Sequence, residues 1–236
     1  MTDHLDDPGR FHPLLRRRQL LKAAGTAGAA SAALGLLGVP RAAGQDRAAH
    51  ARSYGPLSPK RDRATGLHLL ALPDGFEYRS FGWTGQLMSD GRPTPTAHDG
   101  MAVVARYGRT LALVRNHENS ADGGVPAVVS GGTYNPNEAG GTSNLYFDLL
   151  GGTFTKSYTS LGGTIRNCAG GPTPWASWIT CEETFHVWGD RPDGFNHGYI
   201  FDVPGYSISS AKPVRAAGRF SHEAVAVDPE TGVVYQ

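Results

Sequence analysis

Short apolar runs alternate with turn residues along most of the chain, from Leu67 to Gln236. Over three turns, none of this region shows the 3.6-residue period of an amphipathic helix. Glycine- and proline-containing turn signals separate the runs, as they do between short strands. The pattern therefore predicts an all-β protein.

Three turn signals fix the predicted pairing most clearly. Gly108-Arg109 is typical of a two-residue hairpin, Gly151-Gly152-Thr153 of a second hairpin, and the segment 228–232 of a turn between the last two strands. The predicted strands are 76–81, 101–107, 110–114, 144–150, 154–158, 175–181, 199–203, 224–227 and 233–235.

Many short strands with tight turns are found in sandwiches, barrels and propellers. Long loops at 116–141 and 184–198 favour a propeller, whose loops often carry function. At roughly 45 residues per blade, the region supplies about three to four blades, fewer than a closed ring needs. We therefore expect an incomplete β-propeller ring. The chain stops inside an apparent strand at Gln236, so we expect a fragment of a longer protein.

The N-terminus carries a different signal. Arg17-Arg18 begin a twin-arginine pattern, and an uncharged, weakly apolar run follows at 23–39. That run is typical of a signal peptide rather than a membrane span, although an uncleaved anchor helix is the alternative. The sequence predicts a twin-arginine signal peptide at 1–44, a linker or N-terminal arm at 45–66 and a partial propeller domain at 67–236.

The predicted signal peptide implies a cellular location and an export partner. Proteins that use the twin-arginine export machinery cross the membrane already folded, often with a cofactor loaded. We therefore expect a periplasmic or secreted protein, free of the membrane after cleavage, and a metal or cofactor protein is favoured.

Composition and charge narrow the function further. The 32 glycines and 16 prolines among 236 residues argue against a helix bundle. The net charge of +1 arises from a basic N-terminus, and the region after residue 44 is slightly acidic. A nearly neutral domain lacks the basic surplus that binds phosphate backbones, which argues against nucleic acid as a partner.

Five polar clusters lie at the ends of apolar runs, where they could face a shared cleft. They are His98-Asp99-Gly100, 115–118, 166–168, 181–183 and 221–223. Carboxylate, amide, imidazole and thiolate groups are all metal donors, but a single such cluster is more often a solvated loop. The cysteines lack zinc-finger spacing, and no Gly-x-Ser-x-Gly elbow is present.

Longer strings around these clusters resemble the PhoX-type alkaline phosphatases. They are HDGM at 98–101, LVRNHE at 113–118, GGTIRNCAGGPTPWASWITCEET at 162–184, HGYIFDVP at 197–204 and GRFSHEAVAVDPETGVVY at 218–235. The resemblance runs from about residue 54 and covers the N-terminal half of a family member. It implies a twin-arginine-exported β-propeller that hydrolyses phosphate monoesters at a cluster of Fe³⁺ and Ca²⁺ bridged by an oxo group, with an oxide or hydroxide on the metal as the nucleophile.

The resemblance also implies roles for six residues. Cys168 resembles the thiolate ligand to iron, and Asn116 resembles a residue lining the site near substrate and metal. Arg166 either supports the site or holds a loop carboxylate. The carboxylates that resemble metal ligands are Glu118, Glu183 and Glu223. Strand alternation points adjacent side chains to opposite faces, so we do not expect Glu182, His117 or His222 to be ligands.

The cysteines allow two interpretations. In an exported protein, Cys168 and Cys181 would most simply form a disulfide. The resemblance instead implies a metal-bound Cys168 and a buried, structural Cys181.

Two other functions stay open beside the phosphatase. One is a calcium-dependent, lactonase-like propeller hydrolase. The other is a non-catalytic extracytoplasmic propeller that binds a partner.

Overall fold

A computed structural model describes residues 54–184 and 194–236. The predicted signal peptide at 1–44 lies outside these residues. The elements are β1 (Ser58–Arg61), β2 (His68–Leu72), β3 (His98–Tyr107), β4 (Thr110–His117), β5 (Gly140–Asp148), β6 (Thr153–Thr164), β7 (Asn167–Pro172), β8 (Ser177–Glu182), β9 (Ile200–Pro204), a 3-10 turn (Arg215–Ala217), β10 (Ala226–Val227) and β11 (Val234–Tyr235).

The strands form two larger sheets and two strand pairs. One sheet has the order β3-β4-β5-β6 and the other the order β7-β8-β9, so each is an antiparallel meander. β1 pairs with β2, and β10 with β11. The all-β prediction is confirmed, whereas the assembly of such sheets into a propeller stays a prediction. Within the described ranges, no helix has the length and apolar character needed to cross a membrane.

The chain divides into two compact units. In the described part, the smaller unit comprises 54–60 and 68–76. Within it, Lys60 Nζ donates a 2.6 Å hydrogen bond to the carboxylate of Asp74. The larger unit comprises 61–67, 77–184 and 194–236, and all candidate site residues belong to it.

Most predicted strands are present, and the first hairpin is as predicted. Tyr107 pairs with Thr110 across Gly108-Arg109, while the second hairpin closes at Asp148 and Thr153. The predicted strand at 76–81 is wrong. Its backbone instead bonds to the 61–67 loop: Arg63 N donates to Tyr78 O, and Ser80 N donates to the buried carboxylate of Asp62.

β7 is a strand that the sequence pattern did not predict, because its glycines interrupt the apolar run. A Cβ atom at Gly170 would overlap Ile179 O and come within 2.9 Å of the Trp178 ring. A Cβ atom at Gly171 would overlap Val225 O. The bare backbone of β7 is therefore what allows its neighbours to approach so closely.

Apolar side chains from both larger sheets share one core. Val104, Val114 and Leu161 from the four-stranded sheet pack in the same buried cluster as Trp178 and Phe201 from the three-stranded sheet. Fully burying such side chains contributes about 1.5–3 kcal/mol each. This core packs the two larger sheets against each other, and the site lies where the ends of β3 and β4 meet β7.

Candidate metal centre

Three potential ligand groups converge at one edge of the two sheets. The ligand atoms of Asp99, Glu118 and Cys168 all lie within 4.8 Å of one another. Asp99 is exposed, and the other two are partly buried. The Cys168 Sγ atom is 4.0 Å from Asp99 Oδ1.

Strand pairing brings the two carboxylates together. Asp99 is the second residue of β3, and Glu118 directly follows β4, whose last residue, His117, pairs with His98. Cys168 comes from β7. Gly100 permits this approach, since a Cβ atom there would lie 2.8 Å from the Ala169 Cα atom. Two hairpin-paired strands and a third strand from the other sheet thus supply the cluster.

Two residues with left-handed backbone conformations flank the cluster. Ala97 has φ of 50° and Arg166 has φ of 49°. The carbonyl of Ala97 accepts a 2.7 Å hydrogen bond from Glu118 N, and the carbonyl of Arg166 accepts a 2.9 Å bond from Glu183 N. Non-glycine residues in this region cost about 1–3 kcal/mol and gather at functional sites. Here each of them fixes the backbone of a candidate ligand.

The side chain of Arg166 bridges two carboxylates at the rim. Its Nη2 atom lies 3.2 Å from Glu118 Oε1 and 3.4 Å from Glu183 Oε2. The Arg166 side chain remains 48% exposed. Both roles predicted for Arg166 are compatible with this position, because it contacts loop carboxylates and still offers N–H groups to solvent.

The electrostatics of the cluster favour a cation. Burial, and after it the negative charges of four carboxylates, raise the pKa of the Cys168 thiol to about 11. They are Asp99, Glu183, Glu118 and Glu223. A multivalent cation would reverse this effect, because it stabilises the thiolate directly and offsets the carboxylate charges.

Glu223 lies farther from the centre. It is exposed, and its carbonyl accepts a 3.1 Å hydrogen bond from Ala169 N. The tightest cluster among the described residues contains neither Glu223 nor Glu183. Both remain predicted ligands, near enough to influence Cys168 electrostatically.

The donor set fits the ions that the sequence resemblance implies. Carboxylate oxygens are the preferred ligands of Ca²⁺, and a thiolate with carboxylates suits iron. The two cysteines are free, with Cys181 fully buried and Cys168 partly accessible. Cys168 is therefore available as a ligand.

Asn116 supports the metal centre indirectly, through hydrogen bonds to the backbone of β7. It is fully buried, and its Nδ2 atom donates to Cys168 O at 3.0 Å and to Ala169 O at 2.7 Å. Its Oδ1 atom accepts hydrogen bonds from Trp178 Nε1 at 2.9 Å and Thr180 Oγ1 at 2.8 Å. All four bonds are to protein, so in this structure Asn116 positions β7.

The three side chains that we did not expect to be ligands, those of His117, Glu182 and His222, are buried. His222 lies against the Phe220 ring, with centroids 3.7 Å apart. His117 Nε2 is 2.9 Å from Ser143 Oγ, and its Nδ1 is 3.0 Å from Thr96 O. Glu182 accepts hydrogen bonds from His197 Nδ1 and from the amides of Ile165, Gly198 and Tyr199.

The buried imidazole of His117 predicts a pH dependence of stability. Burial and the charge of Arg115 lower its pKa to about 3, whereas an unfolded histidine titrates near 6.5. Between these values the unfolded chain binds a proton that the folded chain does not. The free energy of unfolding therefore keeps this contribution above pH 6.5. It falls by about 1.4 kcal/mol per pH unit as the pH drops towards 3.

Urea unfolding across this range measures the effect. We expect His117→Gln to reduce the slope of unfolding free energy against pH by the contribution of about one proton. The matched variant of the exposed His68, His68→Gln, should keep the original slope. An unchanged slope in His117→Gln would contradict the assignment.

Asp99 is the cluster member that the sequence did not identify as a ligand. Its His98-Asp99-Gly100 motif stood out only as a polar strand end. The adjacent Gly100 is a signal that could have been used, since a glycine beside a carboxylate in a strand marks a close backbone approach.

Comparison with protein families matches residues 52–155 and 146–236 to the family described as Alkaline phosphatase PhoX. The chain belongs to the PhoX alkaline phosphatase family. Every residue of the cluster falls inside the match. PhoX membership implies a phosphatase-type function and confirms the resemblance found in the sequence. Searches of the curated proteins and of the solved structures gave no match.

Proposed function

We propose that this PhoX-family chain belongs to a metal-dependent enzyme that hydrolyses small phosphate monoesters. The observation that carries the proposal is the convergence of Asp99, Glu118 and Cys168 within 4.8 Å, inside the region matched to the family. Family membership supports the substrate class, and the donor chemistry supports the metal.

The metals proposed are Fe³⁺ and Ca²⁺. Cys168 and the nearest carboxylates suit iron, while Glu118, Glu183 and Glu223 provide the oxygen donors that calcium requires. A bound cation supplies Lewis acidity and neutralises negative charge on the phosphoryl group.

The chain's own residues have distinct parts in the proposed mechanism. Asp99, Glu118 and Cys168 would hold the cation, next to the partly exposed side chain of Arg166. Arg166 binds phosphoryl oxygens, because arginine N–H groups stabilise the charge that develops on them during transfer. Asn116 holds the β7 backbone at Cys168, and its predicted contact with substrate stays a prediction.

The setting is also part of the proposal. The twin-arginine pattern supports export to the periplasm or beyond, in the folded state. The antiparallel meanders support a β-propeller, in which strand ends of several blades face a common centre.

Elemental analysis combined with a chromogenic phosphate monoester tests the function. The protein is produced in a host that has the twin-arginine pathway, on the full reading frame. Iron and calcium together with hydrolysis would support the phosphatase. Calcium with lactone hydrolysis, and no phosphatase activity, would favour the lactonase-like alternative. A well-folded protein with no metal and no activity would overturn the proposal.

Replacing Arg166 separates its two possible roles. If the guanidinium binds phosphoryl oxygens, Arg166→Met lowers kcat/KM by about 100-fold, with the metal content unchanged. We expect this result because about half of the Arg166 side chain is exposed, so a ligand can reach it. Arg106→Met, at an exposed arginine of β3, is the control. A change below about fivefold would leave Arg166 only the task of holding Glu118 and Glu183.

A further inference from the structure

A positively charged side chain, that of Arg115, lies on the face of β4 opposite Asn116. Arg115 precedes Asn116, so its side chain points away from the metal centre. The residue is 6% exposed, and its Nε and Nη2 atoms are buried with no hydrogen-bond partner. None of the ion pairs in the described part of the chain includes Arg115.

A buried, uncompensated guanidinium is unusual. Burial lowers the pKa of Arg115 to about 10, which still leaves the side chain charged at neutral pH. Buried charges in proteins are ordinarily paired, because desolvation costs several kcal/mol when they are not. The neighbouring imidazoles of His98 and His117 carry no negative charge, and burial, followed by the charge of Arg115, lowers the pKa of both.

A carboxylate at the edge of this sheet, that of Asp90, accepts its hydrogen bonds from backbone amides. Asp90 lies at the sheet edge, where its Oδ2 atom accepts a 3.1 Å bond from Thr159 N. Its Oδ1 atom accepts a 3.0 Å bond from Arg92 N. Asp90 is thus held by backbone amides rather than by Arg115.

The free atoms of Arg115 have the arrangement that binds oxyanions. Nε and Nη2 lie on one edge of the guanidinium, and their parallel N–H bonds match two oxygens of a carboxylate, phosphate or sulfate. Ser143 pairs with Arg115, and Thr159 pairs with Ser143, so the three residues share one face. The Thr159 hydroxyl is also buried without a partner, which adds a further possible donor.

A cavity adjoins this group. It measures about 230 Å³, and Gly82, Gln86, Ser89 and Thr94 are part of its wall. Gly82 separates the cavity from Arg115: a Cβ atom there would lie 3.1 Å from Nη1. Arg115 is not part of the cavity wall, and its Nε and Nη2 atoms are screened from solvent, so a ligand in the cavity would reach them only if Gly82 and the exposed turn at 83–87 shifted.

We propose that Arg115 and the cavity beside Gly82 form a binding site for a small tetrahedral oxyanion, such as sulfate or inorganic phosphate. The anion pairs with Nε and Nη2 and supplies the charge that the protein lacks there. The site is separate from the metal centre, on the opposite face of β4.

Thermal unfolding in sulfate tests this site. In about 10 mM sulfate, compared with chloride at matched ionic strength, wild-type protein should melt several degrees higher. Arg115→Met should lose this shift. It should also melt no lower than wild type in chloride, since methionine fills similar space without an unpaired charge. Arg166→Met, at the metal centre, should keep the full sulfate shift, and inorganic phosphate should reproduce the pattern.

A crystal soaked in selenate locates the ion. Selenate bound at Arg115 Nε and Nη2 supports the proposal. A sulfate shift that persists in Arg115→Met, no shift in wild type, or selenate found only beside Arg166 would each overturn it. None of these readouts depends on phosphatase activity.

Discussion

Replacing Cys168 with serine is expected to abolish bound iron and to lower phosphomonoester hydrolysis by about 1000-fold, a loss of about 4 kcal/mol in transition-state stabilisation. The reason is chemical. A serine hydroxyl does not ionise near neutral pH as a metal-bound thiol does, so the thiolate donor disappears. Asp99 and Glu118 alone remain within the 4.8 Å cluster. Elemental analysis and the chromogenic assay on the same sample measure both effects.

The other cysteine provides the matched control. Cys181 is fully buried in a small apolar cluster with Ile179 and Ile200, so Cys181→Ala should change stability and leave bound iron in place. If Cys168→Ser retained iron and activity, the thiolate assignment would be wrong. If both variants failed equally with intact folds, a disulfide between the cysteines would be the better interpretation.

Replacing Asn116 with alanine is the second large effect that we expect. The substitution removes the hydrogen bonds that Asn116 makes to Trp178 Nε1 and to two β7 carbonyls, and it leaves the Thr180 hydroxyl only the bond that it accepts from Asn167 Nδ2. Each buried group left unpaired costs about 1–3 kcal/mol, so unfolding free energy should fall by at least about 3 kcal/mol. Metal affinity should also fall by about 10- to 100-fold, because β7 is no longer held at Cys168.

A second buried asparagine separates the two consequences. Asn144 donates to Pro204 O at 2.8 Å and lies on the neighbouring strand, away from the cluster. Asn144→Ala should destabilise the protein and leave metal affinity unchanged at a temperature where both variants are folded. Equal metal affinity in the two variants would reduce Asn116 to an ordinary structural residue.

The sequence predicted most of the sheets because apolar runs and turn residues report strand pairing locally. It predicted neither β7, whose glycines carry no apolar signal, nor the irregular path of 76–81, which follows the buried Asp62. Both depend on contacts with residues distant in the sequence. Hydrophobic patterning contains no information about such contacts.

The site residues likewise divide into those that the local sequence indicates and those that depend on contacts between distant segments. Polar strand ends and the family resemblance identified Glu118, Cys168 and Glu183 as candidates. Glu118 and Cys168 are members of the cluster, and Glu183 contacts Arg166 beside it. Asp99 needed the knowledge that β3 approaches β7 at Gly100. The four hydrogen bonds of Asn116 needed the positions of Trp178 and Thr180 in the other sheet, so its positioning role could be seen only after the chain had folded.

The ligands of the candidate metal centre come from two sheets: Asp99 and Glu118 border the four-stranded sheet, and Cys168 belongs to the three-stranded one. A cation held by all three is a cross-link between them. Its free energy of binding would then add to the free energy of folding. Protease resistance should consequently rise on loading. If the chain is exported in the folded state, as the twin-arginine pattern predicts, the metal would stabilise the form that is transported.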